Sequence, residues 1–196
     1  MAGPESSETG VSDAAPLAPA MPRPARTLAL VGLMGAGKTT VGRRLASALQ
    51  LPFVDADAEI VKAAGRTIEE IFAEHGECSF RRGERQVIAR LLTGPVHVLA
   101  TGGGAFIDPR TRALMKERAI SIWLKAPLDV LMKRVEKRDT RPLLKEENPR
   151  AVMERLMADR YPIYAEADII IESAPGPHHT AVTAILDALR AYEARA

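Results

Sequence analysis

The sequence has one cysteine among its 196 residues and almost no excess charge of either sign. Cys78 has no second cysteine to pair with, which excludes a disulfide-stabilised scaffold and favours a reducing, cytoplasmic location. The formal net charge is +2 and only 4% of the residues are aromatic. Both values argue against a nucleic-acid partner, because nucleic-acid-binding proteins carry clustered basic surfaces and stacking aromatic rings.

Long apolar runs and metal-ligand spacings are also missing. No apolar run approaches the ~20 residues needed to span a bilayer, so no membrane partner is expected. The four histidines show no spacing to one another or to the cysteine that is typical of a metal site: His75, His97, His178 and His179. We therefore expect no metal held by histidine or cysteine ligands.

The first 25 residues differ in composition from the rest of the chain. They are rich in Ala, Pro, Ser and Gly and show no hydrophobic period, so they cannot bury enough surface to become ordered. They also lack the apolar segment of a signal peptide. We expect a disordered leader over residues 1–25, followed by one domain over residues 26–196.

Strand-like and helix-like segments alternate through the remainder of the sequence. The five strand candidates are TLALVG, LPFVDA, VHVLATGGG, AISIWLKA and ADIIIES. This alternation predicts an α/β fold with three layers, in which helices cover both faces of a five-stranded parallel sheet. Ligands of such folds bind beyond the carboxyl ends of the strands, which is where the motifs below occur.

A phosphate-binding loop follows the first strand. The pattern G-x-x-x-x-G-K-T runs from Gly32 to Thr39, between a strand and a helix predicted over Lys38–Leu49. In such loops backbone N–H groups surround the phosphates, the lysine reaches the outer phosphates and the hydroxyl binds Mg²⁺. The residues predicted to bind the nucleotide here are Gly35, Ala36, Gly37, Lys38, Thr39 and Thr40.

The second strand candidate, rather than the third, ends in acidic residues. A P-loop enzyme usually places an acid for the magnesium shell at the end of another strand, but the third strand runs into three glycines. Asp55 and Asp57 follow the second strand instead. One is predicted to serve the outer shell of the metal, and the other to accept the proton or hydrogen bond of an acceptor hydroxyl. The alternative is that one of them only caps the next helix.

Three further polar segments permit two interpretations each. Arg81 and Arg82 either form a solvated helix face with intrahelical ion pairs or bind an anion. The segment TGGG is either a turn or a place where a ligand approaches the backbone. The basic segment from Arg134 to Arg141 is either a surface loop or a mobile cover that delivers an arginine to a phosphoryl group.

Taken together, these segments resemble the shikimate kinases. The resemblance extends from Thr27 to the last helix and rests on GLMGAGKTTVGRRLA, FVDADAEI, GECSFRRGE, TGGGAF, RPLL and RYPIYAEAD. It implies the nucleoside monophosphate kinase-like fold, with strand order 2-3-1-4-5 and a lid at about residues 139–147. It also implies ATP-dependent phosphorylation of shikimate to 3-phosphoshikimate in aromatic amino-acid biosynthesis, with Mg²⁺ as cofactor, ATP as co-substrate and a monomeric enzyme.

The same resemblance implies a role for each matching residue. Catalysis would involve Lys38, Asp57 and Arg141, and Thr39 and Asp55 would serve the metal, Asp55 in its outer shell. Arg134 and Arg141 would contact ATP, and Glu84 would orient Arg81. The residues implied to bind shikimate are Asp57, Arg81, Gly102, Gly103 and Arg160, with Phe80 lining the pocket.

Three rival functions are compatible with part of the sequence. A gluconate or adenylate kinase would share the fold, but paired arginines and a triple glycine suit a hydroxylated acid better than a nucleotide base. An ATP-binding regulatory module without catalysis would have lost its acceptor-side residues, which are all present. Oligonucleotide binding through the basic segment conflicts with the small net charge.

Overall fold

The computed structural model describes residues 23–136, 148–173 and 178–195. The leader predicted over residues 1–25 lies almost entirely outside the described residues, and so does the lid predicted at about residues 139–147. The five strands form one parallel sheet, as the sequence pattern predicted, in the order β2-β3-β1-β4-β5, as the family resemblance implied. They are β1 (Thr27–Val31), β2 (Phe53–Asp55), β3 (Val98–Ala100), β4 (Ala119–Lys125) and β5 (Ile169–Glu172).

Helices connect the strands and cover both faces of the sheet. A short 3-10 helix, Ala105–Ile107, follows the glycines after β3. The α-helices of the described residues are α1 (Lys38–Leu49), α2 (Ala56–Ala64), α3 (Ile68–Leu92), α4 (Pro109–Arg118), α5 (Leu128–Glu136), α6 (Pro149–Tyr164) and α7 (His178–Glu193). None of them is both long enough and apolar enough to cross a membrane.

The register of the central strands brings three loops to one edge of the sheet. Leu30 of β1 is level with Ala100 of β3, and Ala100 is level with Asp55 of β2. The parallel direction of the strands means that each chain segment leaves the sheet on the same side. The phosphate loop, the acids after β2 and the glycines after β3 therefore begin beside one another.

Local capping signals decide where several helices begin. Thr67 and Glu70 form a complete capping box at the start of α3. The side chains of Asp108 and Asn148 cap α4 and α6, each of which has proline at its start. The sequence also favours a helix end at Gly76, and the helical backbone does break there, with φ 71° and ψ 172°, so that α3 consists of two helical segments joined by a kink.

Two apolar cores support the two halves of the molecule. The larger core packs β1, β3 and β4 against the surrounding helices, and the whole of β1 is buried. The smaller one consists of Ile60, Ile71, Phe80 and Val87, from α2 and α3. Because α2 and α3 carry Asp57 and Arg81, this second core holds the predicted acceptor side of the site in place.

We expect Asp108→Asn to lower stability at neutral pH and to have little effect in acid. Partial burial acts to raise its pKa, but N–H groups of Thr111 and Arg110 and the Arg85 guanidinium hold the pKa of Asp108 below its usual range. A lowered folded-state pKa contributes stability above the unfolded value of about 3.9, and this is lost as pH falls through the folded value. Urea unfolding at pH 7 should show a loss of about 1 kcal/mol.

The control for this measurement is Asp187→Asn, which removes an exposed ion pair with Arg190 in α7. That change should shift the free energy of unfolding by less than about 0.5 kcal/mol at either pH. A loss for Asp108→Asn that is equally large at pH 7 and pH 3 would contradict the assignment of this stability to the carboxylate charge.

Candidate active site

The phosphate loop occupies residues 32–37, between β1 and α1. Gly32, Gly35 and Gly37 have φ values of 134°, 80° and 97°, a region that residues with a side chain rarely adopt. The ammonium group of Lys38 donates to the carbonyls of Gly32 at 2.7 Å and Leu33 at 2.9 Å. The loop thus wraps around its own lysine at a helix N-terminus, which is an anion-binding arrangement.

Thr39 and Asp55 meet beside this loop. The Thr39 hydroxyl donates to Asp55 Oδ2 at 3.0 Å, and Asp55 Oδ1 accepts the N–H of Asp57 at 3.1 Å. Asp55 is thereby the N-cap of α2, so the capping alternative is correct for this aspartate. The same carboxylate also contacts the predicted metal-binding hydroxyl, which the sequence could not show.

Asp57 and Glu84 flank the first glycine after β3. A Cβ atom at Gly102 would lie 2.9 Å from Asp57 Oδ1 and 2.8 Å from Glu84 Oε1. Only a residue without a side chain allows both carboxyl groups to approach the turn this closely. Two acids from different helices are therefore brought together at the backbone of Gly102.

Glu84 is a buried carboxyl group, only 3% exposed. Burial raises the pKa of Glu84, the hydrogen bond and charge of Arg81 act against this, and Asp57 and Asp108 add to the rise. Within the described part of the chain, Glu84 Oε1 has no hydrogen-bond partner. A buried carboxyl is tolerated here because Arg81 Nη1 donates to Glu84 Oε2 at 2.8 Å.

Arg81 forms intrahelical ion pairs and also reaches the glycine turn. Its other terminal nitrogen donates to Glu77 at 3.1 Å, which is the surface interpretation that the sequence left open. However, a Cβ atom at Gly104 would lie only 2.6 Å from Arg81 Cζ, so the guanidinium rests on the backbone there. The Arg81 guanidinium also lies over the ring of the buried Phe80, 5.1 Å from its centroid.

Arg160 approaches the same turn from α6. Its Nη1 donates to the carbonyl of Gly103 at 3.1 Å, and the hydroxyl of Tyr164 donates to the same carbonyl. Arg81 and Arg160 thus lie at adjacent residues of one turn, although 79 positions separate them in the sequence (160 minus 81). The pair of arginines predicted to bind one carboxylate is brought together.

Gly104 and Tyr164 are the site residues that the sequence analysis did not single out. Gly104 is the third glycine of a run whose first two members were assigned, so its signal was present. Tyr164 lies four positions after Arg160 on α6 and therefore on the same helix face. That spacing was a usable signal, but the partner of the hydroxyl could not be read from it.

Arg134 joins α5 to the phosphate loop. Its Nη1 donates to the Ala36 carbonyl at 3.1 Å and to the Ser173 hydroxyl at 3.3 Å. Burial lowers the pKa of Arg134, and a guanidinium with so high an ordinary pKa stays charged. Arg141, the other arginine predicted on the nucleotide side, lies outside the described residues.

The site offers few metal ligands of its own. Among residues 23–136, 148–173 and 178–195, no group of three or more His, Cys, Asp or Glu side chains could hold a metal ion. Thr39 and Asp55 supply one hydroxyl and one carboxylate. This suits Mg²⁺, which usually keeps several waters and binds substrate phosphates, with one or two protein ligands.

The site therefore has two unlike halves along one edge of the sheet. One half has backbone N–H groups, Lys38 and a hydroxyl–carboxylate pair, which suit a polyphosphate with its metal. The other half has two guanidinium groups beside two carboxyl groups and bare backbone. Such a set can bind a small carboxylic acid that also carries hydroxyl groups.

Comparisons with known proteins place this arrangement in a family. The shikimate kinase family model matches residues 34–190. A shikimate kinase of Caulobacter vibrioides is 58% identical over 169 residues, which is 86% of this chain and 84% of that protein. The structure of a shikimate kinase from Acinetobacter baumannii in complex with shikimate is 40% identical and has a TM-score of 0.81, covering 85% of this chain and 93% of that one.

A rival considered above has a solved structure that resembles this chain at low identity. A gluconokinase from Sinorhizobium meliloti is 17% identical, with a TM-score of 0.57 over 86% of this chain and 94% of that one. Likeness at this level shows a shared fold and does not extend to the substrate.

We expect Gly104→Ala to destabilise the protein only while Arg81 is present. Gly104 has an ordinary right-handed helical conformation, so alanine introduces no backbone strain. Its Cβ would instead displace the Arg81 guanidinium from the turn. In a double-mutant cycle followed by urea unfolding, Gly104→Ala should cost about 1 kcal/mol, and much less in an Arg81→Ala background.

Gly83→Ala is the matched control, because a Cβ at Gly83 has no atom within 4 Å. Gly83 lies in the interior of α3, where alanine is favoured over glycine. The free energy of unfolding of Gly83→Ala should therefore rise slightly, by up to ~1 kcal/mol. Equal losses for Gly104→Ala with and without Arg81 would show that the guanidinium is not what the new side chain meets.

Proposed function

The chain belongs to the shikimate kinase family, and on that premise we propose how its residues divide the work of the reaction. The activity is the ATP-dependent phosphorylation of shikimate to 3-phosphoshikimate, a step of the shikimate pathway of aromatic amino-acid biosynthesis. One observation carries the assignment of roles. Arg81 and Arg160 contact adjacent glycines of one turn, beside Asp57 and on the same sheet edge as the phosphate loop.

The phosphate loop is the donor half of the site. The N–H groups of residues 35–40 would surround the ATP phosphates, and Lys38 would neutralise charge on the transferred group. Arg134 supports the proposal by holding the carbonyl of Ala36, which keeps the loop closed around its lysine. Phosphoryl transfer requires mainly positioning and charge stabilisation, so no covalent enzyme intermediate is needed.

The glycine turn and the two arginines form the acceptor half. A planar carboxylate is bound best by guanidinium forks, and two of them meet here. Gly102 and Gly103 would form the wall against the ring of shikimate, because neither has a side chain that would fill the space. Glu84 would hold Arg81 in place through its 2.8 Å ion pair.

Asp57 is the residue that we assign to the reacting hydroxyl. It lies in the first turn of α2, and its Oδ1 approaches the backbone of Gly102. A carboxylate there can accept the hydrogen bond of the 3-hydroxyl and then its proton as the oxygen attacks phosphorus. Asp55 is assigned to the metal instead, because it lies against the Thr39 hydroxyl beside the phosphate loop.

Mg²⁺ fits beside Thr39 and Asp55. We propose that the Thr39 hydroxyl is a direct ligand and that Asp55 holds the metal-bound waters, as its hydrogen bond to Thr39 supports. When bound, the ion would neutralise charge on the β- and γ-phosphates. Arg141 would add a further positive charge near these phosphates, and this role remains a prediction.

The cellular location is inferred from the cysteine content. The single Cys78 is an exposed free thiol, which suits a reducing compartment, and we propose the cytoplasm. A monomer remains the expected form, as the resemblance to the family implies.

An ADP-release assay with shikimate, gluconate and nucleoside monophosphates as acceptors tests the activity. Shikimate should be phosphorylated far faster than the others, because nucleoside monophosphates lack a carboxylate and gluconate has no ring to lie against Gly102 and Gly103. Turnover with shikimate no higher than the hydrolysis of ATP in water would contradict the assignment.

Arg81→Lys should raise the KM for shikimate by about tenfold or more and leave the KM for ATP nearly unchanged. The lysine keeps the charge but loses the bidentate fork. The control is Arg82→Lys, a change at the exposed neighbouring position, which should alter neither KM. A similar rise in both KM values would remove Arg81 from the acid pocket.

Asp55→Asn should raise the Mg²⁺ concentration needed for half-maximal rate by about tenfold, as outer-shell changes commonly do. Asparagine keeps the cap of α2, so the fold should be retained. Glu59→Gln is the control, since it removes a charge from the same helix but from an ion pair with Arg90. An unchanged magnesium requirement in Asp55→Asn would refute the metal assignment.

A further inference from the structure

One backbone carbonyl in the acceptor half accepts two side-chain donors. The Gly103 oxygen receives Nη1 of Arg160 and the hydroxyl of Tyr164, and both residues come from α6. A carbonyl oxygen has two lone pairs, so these two donors saturate it. The turn that carries Gly102 and Gly104 is therefore held at its centre by a single helix.

Tyr164 is fixed in this position by its surroundings. Its side chain is 1% exposed and packs against Phe106 and Trp123, with ring centroids 6.3 Å and 5.8 Å apart. A ring held in this way leaves the hydroxyl little choice of partner. The contact with Gly103 is accordingly a rigid element of the site.

The hydroxyl of Tyr164 remains a neutral donor throughout the range of enzyme assays. Burial raises the pKa of Tyr164 to about 12, while Arg160 and the charge of Arg81 oppose the rise. Tyr164 is thus suited to donating a hydrogen bond and unsuited to abstracting a proton from shikimate near neutral pH.

We propose that Tyr164 is a positioning residue for shikimate, whose hydroxyl holds the Gly103 carbonyl and so frees Arg160 to bind the substrate carboxylate. The inference rests on the proposed function, in which Arg160 and Gly103 contact shikimate. Tyr164 itself is not assigned to the substrate or to the reacting atoms. It acts through the glycine turn and through the arginine that shares its acceptor.

The competition for one acceptor gives this role its physical basis. Without the Tyr164 hydroxyl, Arg160 is the only donor left to the Gly103 carbonyl among the residues that the structure describes. If Arg160 stays on that carbonyl, it has fewer N–H groups in place for a carboxylate. If Arg160 turns towards the shikimate carboxylate, the Gly103 carbonyl loses the donor that Tyr164→Phe had left to it. Either outcome weakens shikimate binding and leaves the nucleotide half untouched.

Tyr164→Phe tests the proposal, and Tyr161→Phe is a matched control on the same helix. The Tyr161 hydroxyl donates to the Ala126 carbonyl at 2.6 Å, and its ring packs edge-on against Trp123 at 4.9 Å. Each variant therefore removes one hydroxyl from one backbone carbonyl and keeps the aromatic ring. The full chain is used, with ADP release for the two KM values and kcat, calorimetry for shikimate binding, and urea unfolding for stability.

Tyr164→Phe should raise the shikimate KM and dissociation constant about fivefold to tenfold, the effect of one lost hydrogen bond. The KM for ATP should stay within twofold of wild type. Tyr161→Phe should lose similar stability and leave the shikimate constants unchanged. A purely structural role for Tyr164 would lower stability in both variants without raising the shikimate constants in either.

Two results would overturn the proposal: shikimate constants within twofold of wild type in Tyr164→Phe, or an equal rise in Tyr161→Phe. Failure of the proposed function looks different, because wild type itself would then show no shikimate-dependent ADP release. In that case the calorimetric comparison of wild type and Tyr164→Phe still decides the positioning role, and a wild type that binds no shikimate would overturn both.

Discussion

The missing side chains at Gly102, Gly103 and Gly104 allow the acceptor half of the site to assemble. Asp57 and Glu84 approach the first glycine, and the guanidinium of Arg81 lies against the third. The carbonyl of the second is held from α6 by Arg160 and Tyr164. Helices α2, α3 and α6 thus meet on a few atoms of bare backbone. A Cβ atom at Gly102 would displace Asp57 and Glu84, and one at Gly104 would displace the Arg81 guanidinium.

The parallel sheet determines which segments can reach this turn. The strands β1, β2 and β3 end level with one another at the same edge of the sheet. The phosphate loop and the glycine turn therefore start side by side. This proximity lets one protein bind a polyphosphate and a small acid in adjacent places without a second domain. Thr39 and Asp55, which begin on different loops, meet there for the same reason.

Burial makes the charges of the acceptor half dependent on one another. Glu84 is a buried carboxyl with a raised pKa, and Arg81 is the partner that opposes this rise. Removing Arg81 would leave the Glu84 carboxyl without its ion-pair partner at a buried position. A substrate carboxylate between Arg81 and Arg160 would add another anion close to Glu84, so the placement of both arginines governs binding. These contacts therefore contribute mainly by orienting the guanidinium groups of Arg81 and Arg160.

Much of the fold could be predicted from the sequence because its signals are local. The alternation of strands and helices, the cap residues Asp108 and Asn148, and the glycine pattern of the phosphate loop each depend on neighbours within a few positions. The family could also be identified, because its motifs occur in a fixed order along the chain. They can be compared residue by residue without coordinates. Gly76 is another such local signal, because its non-helical φ and ψ break α3 where the sequence favours a helix end.

The tertiary structure alone decided how the site residues share their partners. Gly103 and Tyr164 are 61 residues apart, and Thr39 and Asp55 are 16 apart, so no periodic pattern links them. Their contacts depend on where a strand ends and at what angle a helix packs across it. For the same reason the sequence identified Arg81 and Arg160 as partners only through resemblance. Side-chain packing in three dimensions decides that Gly104 supports Arg81. It also decides that Tyr164 shares an acceptor with Arg160.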